Sequence, residues 1–155
     1  MSRTCVWIHD ATINSEDVAL RSFPDAVVVF VFDIAQITGS RIAYHRLRFI
    51  YDGVCELFNG LKHPIKEMRK GDAVTEILAV CQEHGCTQIA VTDHASHLVR
   101  ATIEALQTKL PVTVLPRLQL AQYADEPRRF SRYWEKVAKQ VLGYDPKKQS
   151  KFHRR

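Results

Sequence analysis

A run of seven apolar residues, AVVVFVF at Ala26–Phe32, constrains the fold of this chain more than any other feature. A strand with one face in water would alternate apolar and polar residues, and this run does not. It is rich in β-branched and aromatic residues, which favour strands. The run therefore predicts a central strand buried on both faces, as in a parallel sheet covered by helices.

The segments around this strand alternate between strand and helix patterns. Further strands are expected at residues 4–9, 64–68, 88–92 and 111–115, and helices after 15, at 41–58, 72–84, 97–108 and 130–142. Such alternation, with right-handed crossovers, predicts an α/β fold: a Rossmann-like doubly wound five-stranded parallel sheet in the order 3-2-1-4-5 with flanking helices and a C-terminal helix. Ligands of such sheets bind beyond the carboxyl ends of the strands, where the strand order reverses. The loops that matter are therefore 9–15, 33–40 and 93–97.

A length of 155 residues is typical of one domain. We expect an α/β domain over residues 1–142 and a basic tail over 143–155. The net charge of +5 is unevenly placed, because residues 125–155 hold 10 basic and 4 acidic side chains. A partner attracted by positive charge would therefore meet the last helix and the tail rather than the body of the domain.

The sequence favours a cytoplasmic protein without a membrane partner. No window approaches the roughly 18 apolar residues of a membrane span, and the N-terminal MSRTCVWIHD lacks a secretory pattern. The four cysteines include no C-x-x-C pair. We expect them to be buried thiols in a reducing compartment rather than a zinc site.

Several segments, taken in order, resemble the N-terminal α/β (antenna) domain of the DNA photolyase and cryptochrome family. They are VWIHDATINSEDVAL at 6–20, AVVVFVFD at 26–33, RLRFIYDGVCELFNGL at 46–61, KGDAVTEILAVCQEHGCTQIAVT at 70–92 and FSRYWEKVAKQV at 130–141. The resemblance implies a stand-alone version of the domain that in some relatives holds a light-harvesting pterin or deazaflavin. Family enzymes also contain a helical half that binds FAD, for which we expect no room in this chain. A separate FAD-domain protein would then be the partner.

The loops depart from the family pattern. Where the family has two arginines and an aspartate after its first strand, this chain has His9, Asp10 and Ala11. Thr92 replaces the family's asparagine after the fourth strand. The family's pterin contacts are therefore not carried over residue by residue.

Polar residues near the expected carboxyl edge are candidates for contacting a pterin, a deazaflavin or a nucleotide. They are His9, Asp10, Asp33, Tyr44, Thr92, Asp93 and His94. Each has a structural alternative, such as a pair that stabilises a loop, a helix cap or a solvated helix face. No glycine-rich phosphate loop follows the first strand. His94 and His97 would supply only two metal ligands, so no metal is expected.

The last helix and its approach carry basic residues that suit phosphate groups or an acidic partner. They are Arg128, Arg129, Arg132, Lys136 and Lys139. A solvated helix surface is the alternative interpretation.

These features leave three functional hypotheses. The first is a photolyase-related domain that is not an enzyme on its own. It would bind a small aromatic or nucleotide-like ligand, or form half of a two-chain photolyase-like assembly in DNA repair. The second is an interaction module that contacts nucleic acid or an acidic partner through its basic C-terminal segment, and a homodimer is left open. The third and least favoured is a hydrolase or transferase that uses Asp93, His94 and His97, since no nucleophile with a base is present.

Overall fold

The computed structural model describes residues 3–118 and 129–144. Its strands are β1 (Arg3–Ile8), β2 (Val27–Asp33), β3 (Ile65–Gly71), β4 (Cys86–Thr92) and β5 (Val112–Leu115). Its helices are α1 (Val18–Ser22), α2 (Ile34–Gly39), α3 (Tyr44–Gly60), α4 (Ala73–Glu83), α5 (His97–Gln107) and α6 (Phe130–Leu142). None of the helices in these two ranges is long and apolar enough to cross a membrane.

The five strands form one parallel sheet in the order β3-β2-β1-β4-β5. β1 is the central strand, where Val6 lies opposite Val28 of β2 and Ala90 of β4. The Rossmann-like doubly wound architecture predicted from the sequence is confirmed. Because the strand order reverses between β1 and β4, the loops that leave these two strands lie side by side at the carboxyl edge.

Two apolar layers cover the sheet, one on each face. Cys5 and Trp7 of β1 contribute to the layer that contains residues of α4 and α5. Val6 and Ile8 contribute to the layer that contains residues of α1 and α3. Successive side chains of a strand point to opposite faces. A strand that is packed on both sides is therefore apolar at successive positions. The run at Ala26–Phe32 predicted this for the strand that is now β2.

Side-chain caps begin three of the helices. The carboxylate of Asp17 accepts hydrogen bonds from the backbone N–H groups of Ala19 and Leu20 in α1. The carboxylate of Asp33 accepts one from the backbone N–H of Gln36 in α2. Asp72 precedes α4, and its carboxylate accepts from the backbone N–H of Thr75 at 2.8 Å. The hydrogen bond from the Thr75 hydroxyl, followed by this backbone bond, lowers the pKa of Asp72.

The connection between β2 and α3 differs from the prediction. Residues 34–39, expected as loop, form α2. The long helix expected to begin at Arg41 begins at Tyr44 instead. The physical reason is the backbone of Arg41, whose φ of 47° lies in the left-handed region and cannot belong to a right-handed helix. The turn at Arg41 therefore separates two helices.

The described residues fall into two compact units, one before and one after the Arg117–Leu118 boundary. In the second unit, α6 occupies the positions predicted for the last helix, and Phe130 stacks on Trp134 with ring centroids 6.0 Å apart. Gly143 ends α6 with a φ of 71°, which glycine adopts at little cost. The predicted domain boundary at residue 142 stays a prediction, since residues 145–155 of the expected tail lie outside the described ranges.

Candidate functional site

His9 follows β1 directly and is almost fully buried, with 5% of its surface exposed. Its Nε2 lies 3.0 Å from the backbone carbonyl oxygen of Thr92, the last residue of β4. A carbonyl oxygen only accepts, so Nε2 must carry the hydrogen and, in the neutral ring, Nδ1 is left as an acceptor. This bond joins the ends of the two strands between which the strand order reverses.

The other ring nitrogen of His9 is unusual. Nδ1 is buried and has no hydrogen-bond partner among the described residues. The ring of Trp7 lies 5.6 Å from that of His9, and the ring of His94 lies 5.5 Å away. Burial lowers the pKa of His9, and the bond to Thr92 only partly opposes this. Buried polar atoms are nearly always paired, so a neutral histidine with an unpaired acceptor marks a candidate site.

The lowered pKa of His9 predicts a specific pH dependence of stability. Below about pH 6.5, the ordinary value for histidine, His9 takes up a proton in the unfolded chain more readily than in the folded protein. The unfolded state then binds more protons, so the free energy of unfolding should fall as the pH decreases from about 7 to about 5. We expect His9→Gln, whose amide nitrogen still reaches Thr92, to flatten this slope in denaturant titrations. The exposed His45→Gln is the control, and identical slopes in the two variants would contradict the prediction.

A cavity of about 480 Å³ opens beside His9 over the carboxyl ends of β1 and β2. Its remaining walls come from α2, from the start of α3 and from the first turns of α4 and α5. The apolar lining residues are Trp7, Phe30, Val31, Phe32, Ala35, Ile37, Ile42, Leu47, Ile50, Ala73, Val74, Leu98, Val99 and Ala101. The polar lining residues are His9, Asp10, Asp33, Gln36, Ser40 and Thr102. Apolar walls with a few polar groups are the usual form of a small-molecule site.

The charge of this cavity limits what it accepts. No lysine or arginine is among the described residues that line it, whereas Asp10 and Asp33 are acidic. An anionic group inside the cavity would therefore meet no side-chain cation. A neutral ring fits these walls better than an anionic group does.

Asp33 holds the beginnings of two helices with one carboxylate. Its Oδ1 accepts from the backbone N–H of Gln36 at 2.8 Å, and its Oδ2 accepts from the backbone N–H of Ala73 at 3.2 Å. The capping role that the sequence left open for Asp33 is therefore present. A contact between Asp33 and a pterin, a deazaflavin or a nucleotide stays a prediction.

Hydrogen bonds between residues close in sequence hold the loop after β1 in a turn. The backbone N–H of His9 donates to the Thr12 hydroxyl, and that hydroxyl donates to the His9 carbonyl oxygen, both at 3.1 Å. The backbone N–H of Thr12 donates to the same carbonyl oxygen at 2.9 Å. This tight turn leaves Asp10 exposed at the mouth of the cavity.

The other candidate residues do not line the cavity. The Thr92 hydroxyl accepts from the backbone N–H of Ala19 at 3.2 Å, so it secures α1 to β4. His94 Nδ1 accepts from the backbone N–H of Ser96 at 3.2 Å. The Asp93 carboxylate lies 4.0 Å from the guanidinium of Arg100. Tyr44 is 77% exposed. The structure thus brings His9, Asp10 and Asp33 together at the cavity and places these four residues elsewhere.

Two further kinds of site were possible in this fold, a metal site and a second hollow. Within residues 3–118 and 129–144, no group of three or more His, Cys, Asp or Glu side chains is arranged to hold a metal ion. A second hollow of about 1040 Å³ lies between the loop after β1 and α3. Its charged lining residues are Asp10, Asp52, Glu56 and Arg46. The buried nitrogen of His9 is not among its walls, so the cavity beside His9 is the stronger candidate.

The basic residues predicted to meet phosphate or an acidic partner lie on the second unit. Arg129 occupies the N-cap position of α6 without a side-chain capping bond. Arg132, Lys136 and Lys139 occupy exposed positions along the helix. Arg128 lies outside the described residues. Contact with nucleic acid through this segment, like the homodimer, stays a prediction.

Sequence reasoning missed the walls that α2 and α5 contribute. Gln36, Leu98 and Thr102 line the cavity, and none was a candidate. One signal was present, since Asp33 and Gln36 have the spacing of a capping box, in which an acidic or hydroxyl residue is followed three positions later by Glu or Gln. That spacing would have predicted α2 and placed its first turn next to the carboxyl edge.

Comparison with known proteins leaves the chain without a family. No protein-family model matches it, and no curated protein does. Among solved structures, hypothetical protein MJ0577, the subject of a structure-based assignment of biochemical function, matches with a TM-score of 0.51 and 16% identity. The match covers 77% of this chain and 99% of that one. Hypothetical protein PH0823 matches with a TM-score of 0.46 and 15% identity over 77% and 99% of the two chains, and adds no argument. At such identities the likeness establishes the α/β fold alone.

These findings correct the predicted relationship to the photolyase family. The structure that matches with a TM-score above 0.5, hypothetical protein MJ0577, is not described as a photolyase, and no photolyase family model matches the chain. The prediction of a photolyase antenna domain is therefore wrong. The two-chain photolyase-like assembly and the role in DNA repair lose their support with it. The physical reason is that a strand, a polar loop and a capped helix recur in any parallel α/β sheet, so the quoted segments reported the fold pattern rather than a family.

Proposed function

We propose that this chain is a nucleotide-binding protein that holds the base of its ligand in the cavity beside His9. The observation that carries the proposal is the buried Nδ1 of His9, an unpaired acceptor next to an apolar cavity at the carboxyl edge of a doubly wound sheet. Ligands of such sheets bind at this edge.

The chemistry of the walls supports the base as the buried part. Trp7, Phe30 and Phe32 supply flat apolar surface for a ring. Since Nε2 of His9 is committed to Thr92, Nδ1 requires a donor such as a ring N–H or an exocyclic amino group. The acceptor therefore selects for an amino-substituted base.

The phosphates would remain outside the cavity. No cationic side chain is among the described lining residues, and no glycine-rich loop follows β1 to surround a phosphate with backbone N–H groups. The affinity should therefore depend on the base and hardly on the number of phosphates.

Calorimetric titration with ATP, ADP, adenosine, GTP and ribose 5-phosphate tests the proposal. We expect adenosine to bind within about tenfold of ATP, which corresponds to about 1.4 kcal/mol, and ribose 5-phosphate not to bind. The absence of binding for every base-containing compound at millimolar concentration would refute the proposed function. Binding of ribose 5-phosphate as strong as that of ATP would refute the buried base.

A pair of substitutions on α5 locates the site. Ala101 is exposed and lines the cavity, so Ala101→Trp should fill it without disturbing the core. We expect it to weaken nucleotide binding by at least about tenfold, roughly 1.4 kcal/mol. Gln107→Trp, on an exposed position of the same helix away from the cavity, should leave binding unchanged. Equal affinities of the two variants would place the ligand elsewhere.

A further inference from the structure

Three of the four cysteines lie together at the amino edge of the sheet, opposite the cavity. Cys5 belongs to β1, Cys81 to the last turns of α4, and Cys86 is the first residue of β4. All three are buried in the same apolar layer, and the interactions among their thiols raise the pKa of Cys5 and lower that of Cys86. The proposed nucleotide site uses none of them, and in residues 3–118 and 129–144 they are not arranged as a metal site.

Cys86 is the thiol of this group that lies nearest to charge and solvent. Its neighbours in the chain, Gly85 and Thr87, are exposed, and Arg3 lies opposite Cys86 in the β1–β4 ladder. The hydrogen bond from Cys5 outweighs burial and, together with the positive charge of Arg3 and the nearby His84, lowers the pKa of Cys86 to about 7. The thiolate is the nucleophilic form of cysteine.

Backbone geometry distinguishes the two potential disulfide partners of Cys86. Cys86 pairs with Arg3, which lies two residues before Cys5 on β1. The spacing of strands and residues therefore separates the Cα atoms of Cys5 and Cys86 by roughly 8 Å. A disulfide requires less than about 7 Å. Cys81 is joined to Cys86 by a short turn through Gly85, whose φ of 65° lies in the left-handed region, and both cysteines belong to the same apolar layer. Cys81 is therefore the better partner.

We propose that Cys86 is a thiol-oxidation site that reacts with a peroxide and then forms a disulfide with Cys81. In the first step the Cys86 thiolate attacks one peroxide oxygen and the O–O bond breaks, which gives a sulfenic acid and a leaving hydroxide. The hydroxide takes up the proton that the thiol released on ionising and becomes one water. In the second step the Cys81 sulfur attacks the Cys86 sulfur, and the sulfenic oxygen leaves as a second water. The two thiols are oxidised to one disulfide, and the peroxide is reduced to two waters by the two electrons they lose.

The test treats the full chain with hydrogen peroxide near pH 7 and maps the thiols by peptide mass spectrometry. We expect two of the four free cysteines to be lost, in a Cys81–Cys86 disulfide. Cys86→Ala and Cys81→Ala should abolish the disulfide, whereas Cys55→Ala, on α3, should form it as the parent protein does. Survival of all four thiols in the folded parent protein, or a disulfide without Cys86, would overturn the proposal.

Two additional variants test the cause of the reactivity. Cys5→Ala removes the hydrogen bond to Cys86, and Arg3→Gln removes a nearby positive charge at an exposed position. Both should still form the disulfide. The pH midpoint of peroxide reaction should lie near 7 in the parent protein and move upward in both variants. Loss of the disulfide in Cys5→Ala with its retention in Cys81→Ala would overturn the assignment of Cys81 as the partner.

Discussion

Leu106→Ala is expected to lower the free energy of unfolding by about 2 to 5 kcal/mol. Leu106 lies on α5 and is fully buried in the apolar layer that contains residues of β1, β2 and α4. Truncation removes apolar surface that folding had taken out of water and leaves a cavity that the surrounding helices and sheet fill only in part. Urea titrations followed by circular dichroism measure the change.

The control for this truncation is Val114→Ala on β5. Val114 is apolar, but 40% of its surface is exposed, and it lies on an edge strand. Its removal should change the free energy of unfolding by no more than about 0.5 kcal/mol. The slope of the free energy against urea concentration should be the same for both variants, since the extent of unfolding is unchanged. Equal losses of stability would mean that α5 does not pack as described.

Asp33→Ala should be the second most damaging substitution, with an expected loss of about 2 to 3 kcal/mol. The substitution removes the acceptor for Gln36 at the start of α2 and the acceptor for Ala73 at the start of α4. Loss of one helix cap costs about 0.5 to 2 kcal/mol, and both donors here are partly buried. Denaturant unfolding again measures the loss of stability. A nucleotide titration of the folded variant is carried out in parallel.

Two control variants distinguish the capping role of Asp33 from a general effect of its charge. Asp33→Asn keeps one acceptor oxygen and should lose about half as much stability as Asp33→Ala. Asp25→Ala removes an exposed carboxylate and should stay within about 0.5 kcal/mol of the parent protein. A loss in Asp25→Ala equal to that in Asp33→Ala would show that the charge, and not the caps, determines the effect.

The sheet was predictable because its signals are local. The apolar run at Ala26–Phe32 reports burial on both faces without reference to any other part of the chain. Asp72 before α4 is likewise a local capping signal, and its carboxylate caps that helix. The right-handedness of crossovers between parallel strands then restricts the strand order to a few possibilities, of which 3-2-1-4-5 is one.

The site was less predictable because its decisive contacts are distant in sequence. The partners of Asp33 include Ala73, 40 residues away, and His9 reaches Thr92 across 83 residues. The turn at Arg41 depends on a left-handed backbone that arginine seldom adopts. The periodicity of apolar residues predicts neither these long-range hydrogen bonds nor the turn at Arg41.

The photolyase resemblance failed for a related reason. Its segments were short stretches of strand, loop and capped helix in the expected order. Any doubly wound sheet presents these in the same order, because the order is a property of the topology. The departures at His9, Asp10 and Thr92 were the more informative observations, since they belong to the edge where ligands bind.

The carboxylate of Asp33 has one more consequence, which concerns preorganisation. Because a single side chain fixes the first turns of α2 and α4, the distance between these two walls is set during folding and not on ligand entry. A ligand would therefore enter a cavity that is already formed. Its affinity would be reduced little by the entropy cost of ordering the protein. Because these two walls are fixed, a ligand larger than the cavity would be excluded from it.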